Sequence, residues 1–118
     1  MKILVVDDNI DFCENAKDIL ELRGHTALTA YDAETALEMV KREQPDLVLM
    51  DVRMPRKDGI LALKEIKQVS PGTVVIMVSG FSVEEFIGEA RRLGAVGFFK
   101  KPLDFEKFLT LAESTIKG

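Results

Sequence analysis

Residues 2–9 read Lys-Ile-Leu-Val-Val-Asp-Asp-Asn, a run of aliphatic and β-branched residues ended by two carboxylates. A run this short and continuous suits a strand buried on both faces, the kind that parallel sheets use. The same type recurs at Leu47–Met50 (LVLM), followed by Asp51, and at Val74–Val78 (VVIMV), followed by Ser79. Thr26–Ala30 (TALTA) and Val96–Phe99 (VGFF) are more mixed or carry glycine, which predicts edge strands of the same sheet.

The segments between these runs have helical period. Ala33, Ala36, Leu37 and Val40 fall at i, i+3, i+4 and i+7, and Val83, Phe86, Ile87 and Ala90 repeat the pattern. Phe12, Ala16, Ile19 and Arg23 mark a first helix, with Cys13 and Leu20 beside them. Ile60, Leu63 and Ile66 mark a shorter third one. Phe105, Phe108, Leu109, Ala112 and Ile116 mark the last. The punctuation agrees. Asp32 and Asp104 are N-cap residues by position, and Ser82 with Glu85 spells a capping box. Gly24 and Gly94 stand where C′ glycines belong, and Pro45 and Pro71 close the second and third helices.

Strand and helix therefore alternate five times. Strands joined through helices must be parallel, and right-handed crossovers put helices on both faces. With the three most apolar strands central, the pattern predicts an α/β fold, a doubly wound, flavodoxin-like (βα)5 sheet in the order 2-1-3-4-5.

Composition narrows the function classes. The chain has 118 residues, 47% hydrophobic and 31% charged, as expected of one globular domain with a core of its own. Its net charge of -4 leaves no electrostatic footprint for direct binding of nucleic acid. No apolar run approaches the roughly 20 residues that span a bilayer, and no signal peptide pattern is present, which argues against membrane or secreted roles. The single cysteine, Cys13, excludes an intramolecular disulfide and suits a cytoplasmic location; on its helical face it is a small core hydrophobe. His25 is the only histidine, so a multi-histidine metal site is excluded, and its place after Gly24 predicts an exposed, inert side chain.

Ligands of open α/β sheets bind beyond the carboxyl ends of the strands, where the strand order reverses. That point lies between the first and third strands, so Asp7, Asp8 and Asp51 should converge there. An aspartate at a strand end is often only a turn or cap residue. Three together repel one another and call for a cation. Hard oxygen donors without thiolate or imidazole favour Mg²⁺ or Mn²⁺ over zinc. Ser79 ends the fourth strand. Lys100 and Lys101, followed by Pro102, end the fifth. A metal ion, a lysine and a hydroxyl form the electrostatic clamp that phosphoryl transfer needs. No glycine-rich nucleotide loop follows the first strand, which disfavours nucleotide and dinucleotide binding.

These residues are recognisable. VVDDN at 5–9, DLVLMDVRMPRKDG at 46–59, VSG at 78–80 and GFFKKP at 97–102 resemble the response-regulator receiver domain of two-component signalling, over nearly the whole chain. The resemblance implies that Asp51 is the phosphoacceptor, taking its phosphoryl group from a sensor histidine kinase or a histidine phosphotransfer protein. It implies that Asp7 and Asp8 bind Mg²⁺, with the Arg53 backbone carbonyl as a further ligand. Ser79 is then the switch hydroxyl and Lys101 the lysine that pairs with the phosphoryl group, on a cis Lys101–Pro102 peptide. Met54, Pro55 and Gly59 shape the loop after the acceptor. Phe98 stands where the family often has a switch tyrosine, and it lacks the hydroxyl. Arg53 and Phe81, each two residues beyond a site residue, are expected to modulate the lifetime of the acyl phosphate.

On this reading residues 1–118 form a single receiver domain with no output domain. It acts as a signalling switch rather than a turnover enzyme, on a downstream effector or an output domain. If the fourth and fifth helices form the output face, phosphorylation is expected to promote a symmetric homodimer. Two other classes compete. A haloacid-dehalogenase-type phosphatase would also use a strand-end aspartate, but it expects D-x-D where this chain has Asp7, Asp8 and Asn9. A constitutive adaptor would keep the fold and bind partners without phosphorylation, and the intact acidic cluster argues against it.

Overall fold

The structure, a computed structural model, describes residues 1–52, 58–80 and 84–117. Five strands and five helices alternate: β1 (Lys2–Val6), α1 (Ile10–Leu22), β2 (Thr26–Ala30), α2 (Ala33–Glu43), β3 (Leu47–Asp51), α3 (Gly59–Val69), β4 (Val74–Ser79), α4 (Glu84–Arg92), β5 (Ala95–Lys100) and α5 (Phe105–Lys117). All strand pairs are parallel, and the order is β2-β1-β3-β4-β5. This is the doubly wound fold read from the sequence. Asp51 and Ser79, placed by sequence just beyond their apolar runs, are the last residues of β3 and β4.

The three aliphatic runs are central because both of their faces are covered. Leu4, Val6, Val48, Met50, Val75 and Met77 point to one face, where Ala36 and Val40 of α2, Leu63 and Ile66 of α3 and Ala90 of α4 meet them. Ile3, Val5, Leu47, Leu49, Ile76 and Val78 point to the other, against Cys13, Ala16 and Leu20 of α1 and Phe108, Leu109 and Ala112 of α5. Alternation of side chains along each strand thus feeds two cores, which is why these strands lack a polar face.

Helix starts are fixed by side-chain caps. Asp32 Oδ1 accepts from the Thr35 amide at 2.7 Å, and Asp104 Oδ1 accepts from the Lys107 amide at 3.2 Å. Two further caps carry no warning in the sequence reading: Asn9 Oδ1 accepts from Phe12 N at 3.1 Å, and Asp58 Oδ1 from Leu61 N at 2.8 Å. Gly24 and Gly94 end α1 and α4 at φ +86° and +109°, the left-handed region that favours glycine. The Ser82–Glu85 capping box involves residues outside those described.

His25 departs from its expectation. Its side chain is only 12% exposed, with Nδ1 3.0 Å from the Met1 ammonium and Nε2 3.9 Å from a Glu113 carboxylate oxygen. The start of the chain and α5 close over it, contacts that a local reading cannot supply. Burial, then the nearby ammonium, push its pKa below the usual histidine value, while Glu113 opposes them.

Candidate acidic site at the switch point

β1 and β3 are neighbours, yet their following helices leave on opposite faces, which opens a crevice at their carboxyl ends. Asp7, just past β1, and Asp51, the end of β3, are buried there, while Asp8 is exposed at the rim. One carboxylate oxygen from each lies within 4.8 Å of the others. Asp7 is held through both its main chain and its side chain. The Asp7 amide donates to the Ala30 carbonyl at 3.1 Å, and Asp7 Oδ1 accepts from the Asn9 amide at 2.9 Å. Beneath them the Cys13 thiol, buried in α1, donates to the Asp7 carbonyl at 3.3 Å. Burial first, and then the Asp7 charge, push that thiol up to about 12.

Past Asp51 the chain is gripped on both sides. Val52 N donates to Val78 O at 3.0 Å, and Gly59 N donates to Val52 O at 2.7 Å. Gly59 opens α3 against the end of β3 so closely that an added Cβ would overlap the Asp51 carbonyl oxygen and lie 2.9 Å from Val52 Cα. Glycine is required here by close approach rather than by an unusual φ.

Lys101 reaches the cluster from the far side of the sheet. Its amide donates to the Ser79 carbonyl at 2.8 Å, and its peptide to Pro102 is cis. The ammonium lies 2.6 Å from Asp7 Oδ2 and 3.7 Å from Asp51 Oδ2. Burial alone would lower its pKa, but hydrogen bonding to Asp7 and the charges of Asp51, Asp7 and Asp8 outweigh it and raise it. Of the two adjacent lysines, Lys100 is exposed at the strand end, and only Lys101 points into the crevice. Ser79 is fully buried at the end of β4, one residue past Val78, the register partner of Asp51. Phe98 is half-buried on the α4 side of β5, paired in register with Met77. Arg53, Phe81, Met54 and Pro55 lie outside the described residues.

Among the described residues, one ammonium faces three carboxylates. All the converging donors are hard oxygens, with no imidazole or thiolate among them. The set fits a hard divalent cation. One neighbour escaped the sequence reading: the Phe12 ring, whose centroid lies 4.4 Å from Lys101 Nζ. Its helical period marked it only as core.

The doubly wound fold with an acidic crevice at its switch point is that of a two-component signalling domain. The chain belongs to the family described as the response regulator receiver domain, whose profile matches residues 3–113. It is 37% identical to the chemotaxis protein CheY of Bacillus subtilis over 116 residues, covering 98% of this chain and 97% of that one. It is 39% identical over 114 residues to the transcriptional regulatory protein ZraR of Salmonella typhimurium, covering 97% of this chain but only 26% of ZraR. It therefore spans about a quarter of the length of the ZraR relatives it matches. Among solved structures, the receiver domain of NtrX from Brucella abortus superposes with a TM-score of 0.90 at 37% identity, covering 98% of both chains. No helix among the described residues is long and apolar enough to cross a membrane.

Proposed function

We propose that this receiver domain takes a phosphoryl group on Asp51 from a sensor histidine kinase or a histidine phosphotransfer protein. The observation that carries the reading is the convergence of Asp7, Asp8, Asp51 and Lys101 at the carboxyl ends of β1, β3 and β5. An Asp51 carboxylate oxygen attacks phosphorus in line, forming a P–O bond as the P–N bond to the donor imidazole breaks. The imidazole then recovers a proton from solvent. Lys101 sits where it can turn from the carboxylates to a phosphoryl oxygen. Asp7, Asp8 and Asp51, with the Arg53 carbonyl, would hold Mg²⁺ (or Mn²⁺). When bound, the cation supplies positive charge against the phosphoryl oxygens.

The buried Ser79 hydroxyl then moves toward the new dianion, and Phe98 turns into the space it leaves. The surface of α4, β5 and α5 repacks as a two-state element biased by the added charge. That surface controls a separate effector or an output domain, and its pairing with a second copy gives a phosphorylation-dependent dimer. The domain promotes only its own phosphorylation and dephosphorylation. Arg53 and Phe81 set the lifetime of the acyl phosphate.

The test is NMR with Mg²⁺ and beryllofluoride, an acyl-phosphate mimic. Wild type is expected to show shifts at Ser79, Phe98 and along α4 and α5 that Asp51→Asn lacks. Unmoved Ser79 and Phe98 resonances in wild type would overturn the switch.

A further inference from the structure

Lys101 has three N–H donors and no acceptor, and the pocket surrounds it unevenly. One side meets Asp7 Oδ2 at 2.6 Å, and another faces Asp51 Oδ2 at 3.7 Å. A third lies over the ring of Phe12, 4.4 Å from its centroid. That distance is well inside the roughly 6 Å over which a ring quadrupole attracts a cation. Phe12 stands in the first turn of α1, whose amide the Asn9 side chain caps, and packs half-buried against Cys13 and its core neighbours. Its position is therefore fixed by the same loop that aims Asp7.

We propose that Phe12 is a positioning residue for Lys101, holding the ammonium in the pocket by its ring face, a role that rests on Asp51 being the acceptor. The chemistry of the two kinds of contact differs. A carboxylate holds the lysine by occupying an N–H donor, and that donor must be released before it can reach a phosphoryl oxygen. A ring face attracts the charge from any rotation of the ammonium and occupies no donor in a directed bond. The ring also covers one side of the ammonium that water would otherwise solvate. Phe12 is thus a pivot: Lys101 can exchange Asp7 and Asp51 for the phosphoryl group without leaving the site.

A mere packing role makes a different prediction, and ring fluorination separates the two. Fluorine withdraws electron density from the ring face while nearly keeping its shape, so mono-, di- and trifluorophenylalanine at position 12 weaken the attraction stepwise. Two readouts are used. The first, without metal, is the NMR line width and shift of the Lys101 Cε methylene, which a ring 4.4 Å from the adjacent Nζ moves upfield. The second is the rate of Asp51 phosphorylation by acetyl phosphate with Mg²⁺, alongside Phe12→Leu and Phe12→Tyr. The expected result is a stepwise fall in rate with fluorination, reaching about fivefold in the trifluoro and Phe12→Leu proteins. Phe12→Tyr, which keeps a ring face, should stay near wild type, and the methylene signal should sharpen as the lysine is released. A flat rate series in a wild type that phosphorylates normally would overturn the role of Phe12 alone. Failure of wild type to accept phosphate at all would overturn the acceptor reading, and the role of Phe12 with it.

Discussion

Lys101 is bonded to Asp7, at 2.6 Å, and only approaches Asp51, at 3.7 Å. The lysine therefore occupies a carboxylate that a divalent cation would also need. Removing it should free Asp7 for the metal while taking away the one ammonium that the described residues place against the three carboxylates. Lys101→Met is expected to bind Mg²⁺ about 3- to 10-fold more tightly, the scale of one unit charge removed a few ångströms away. Its metal-free form should be less stable than wild type, because Asp7 is fully buried. The chain has no tryptophan, so an NMR titration is the suitable measurement. Unchanged or weaker metal affinity would contradict the competition.

The contact of Gly59 with the Asp51 backbone leads to a sharp expectation. In Gly59→Ala the new methyl cannot coexist with the Asp51 carbonyl, so α3 or the end of β3 must move. The variant should lose about 1–3 kcal/mol of stability in urea denaturation. It should also accept phosphate more slowly even where it remains folded. A variant of wild-type stability would mean that the junction is softer than its close packing implies.

Stability should fall on mild acidification because of His25. Its unfolded pKa is near 6.5 and its folded value is lower, through burial first and the Met1 ammonium second. Between those values the unfolded chain binds more protons, so stability is lost as pH drops from about 6.5 toward the folded value. His25→Gln should flatten this slope. Urea midpoints for both proteins, about one pH unit above and below 6.5, make the comparison. Parallel pH dependence in the two would remove His25 as a cause.

Cys13 should be chemically silent in the folded protein. Its thiol is buried, donates to Asp7 O and is pushed up to about 12, so little thiolate exists at neutral pH. Iodoacetamide is expected to label it only through opening of the fold, with the rate climbing steeply in urea. Rapid labelling in buffer would show that α1 opens over the acidic site far more readily than its packing suggests.

The sheet order and the acidic crevice were legible in the sequence for one reason. A strand buried on both faces writes itself as an uninterrupted aliphatic run, and the residue ending each run is then the one that faces the crevice. Asp7, Asp51 and Ser79 could be read this way, and Pro102 picked out Lys101 from Lys100 through the resemblance. What was not legible depends on contacts between distant parts of the chain. His25 sits after a turn glycine and reads as exposed, yet Met1 and Glu113 enclose it. Phe12 has the spacing of a core residue, and periodicity speaks only to its own helix, not to the lysine on the far strand. The cap Asn9 was missed because it follows two aspartates that could cap equally well, whereas Asp58, after Arg56 and Lys57 and just before the apolar period of α3, could have been read from the sequence.

The most direct measurement is intact-mass spectrometry of wild type and Asp51→Asn after incubation with acetyl phosphate, with and without Mg²⁺. The account predicts one added phosphoryl group on wild type, dependent on Mg²⁺ and absent from Asp51→Asn. No adduct on wild type, or an equal adduct on Asp51→Asn, would contradict the assignment of Asp51 as the acceptor.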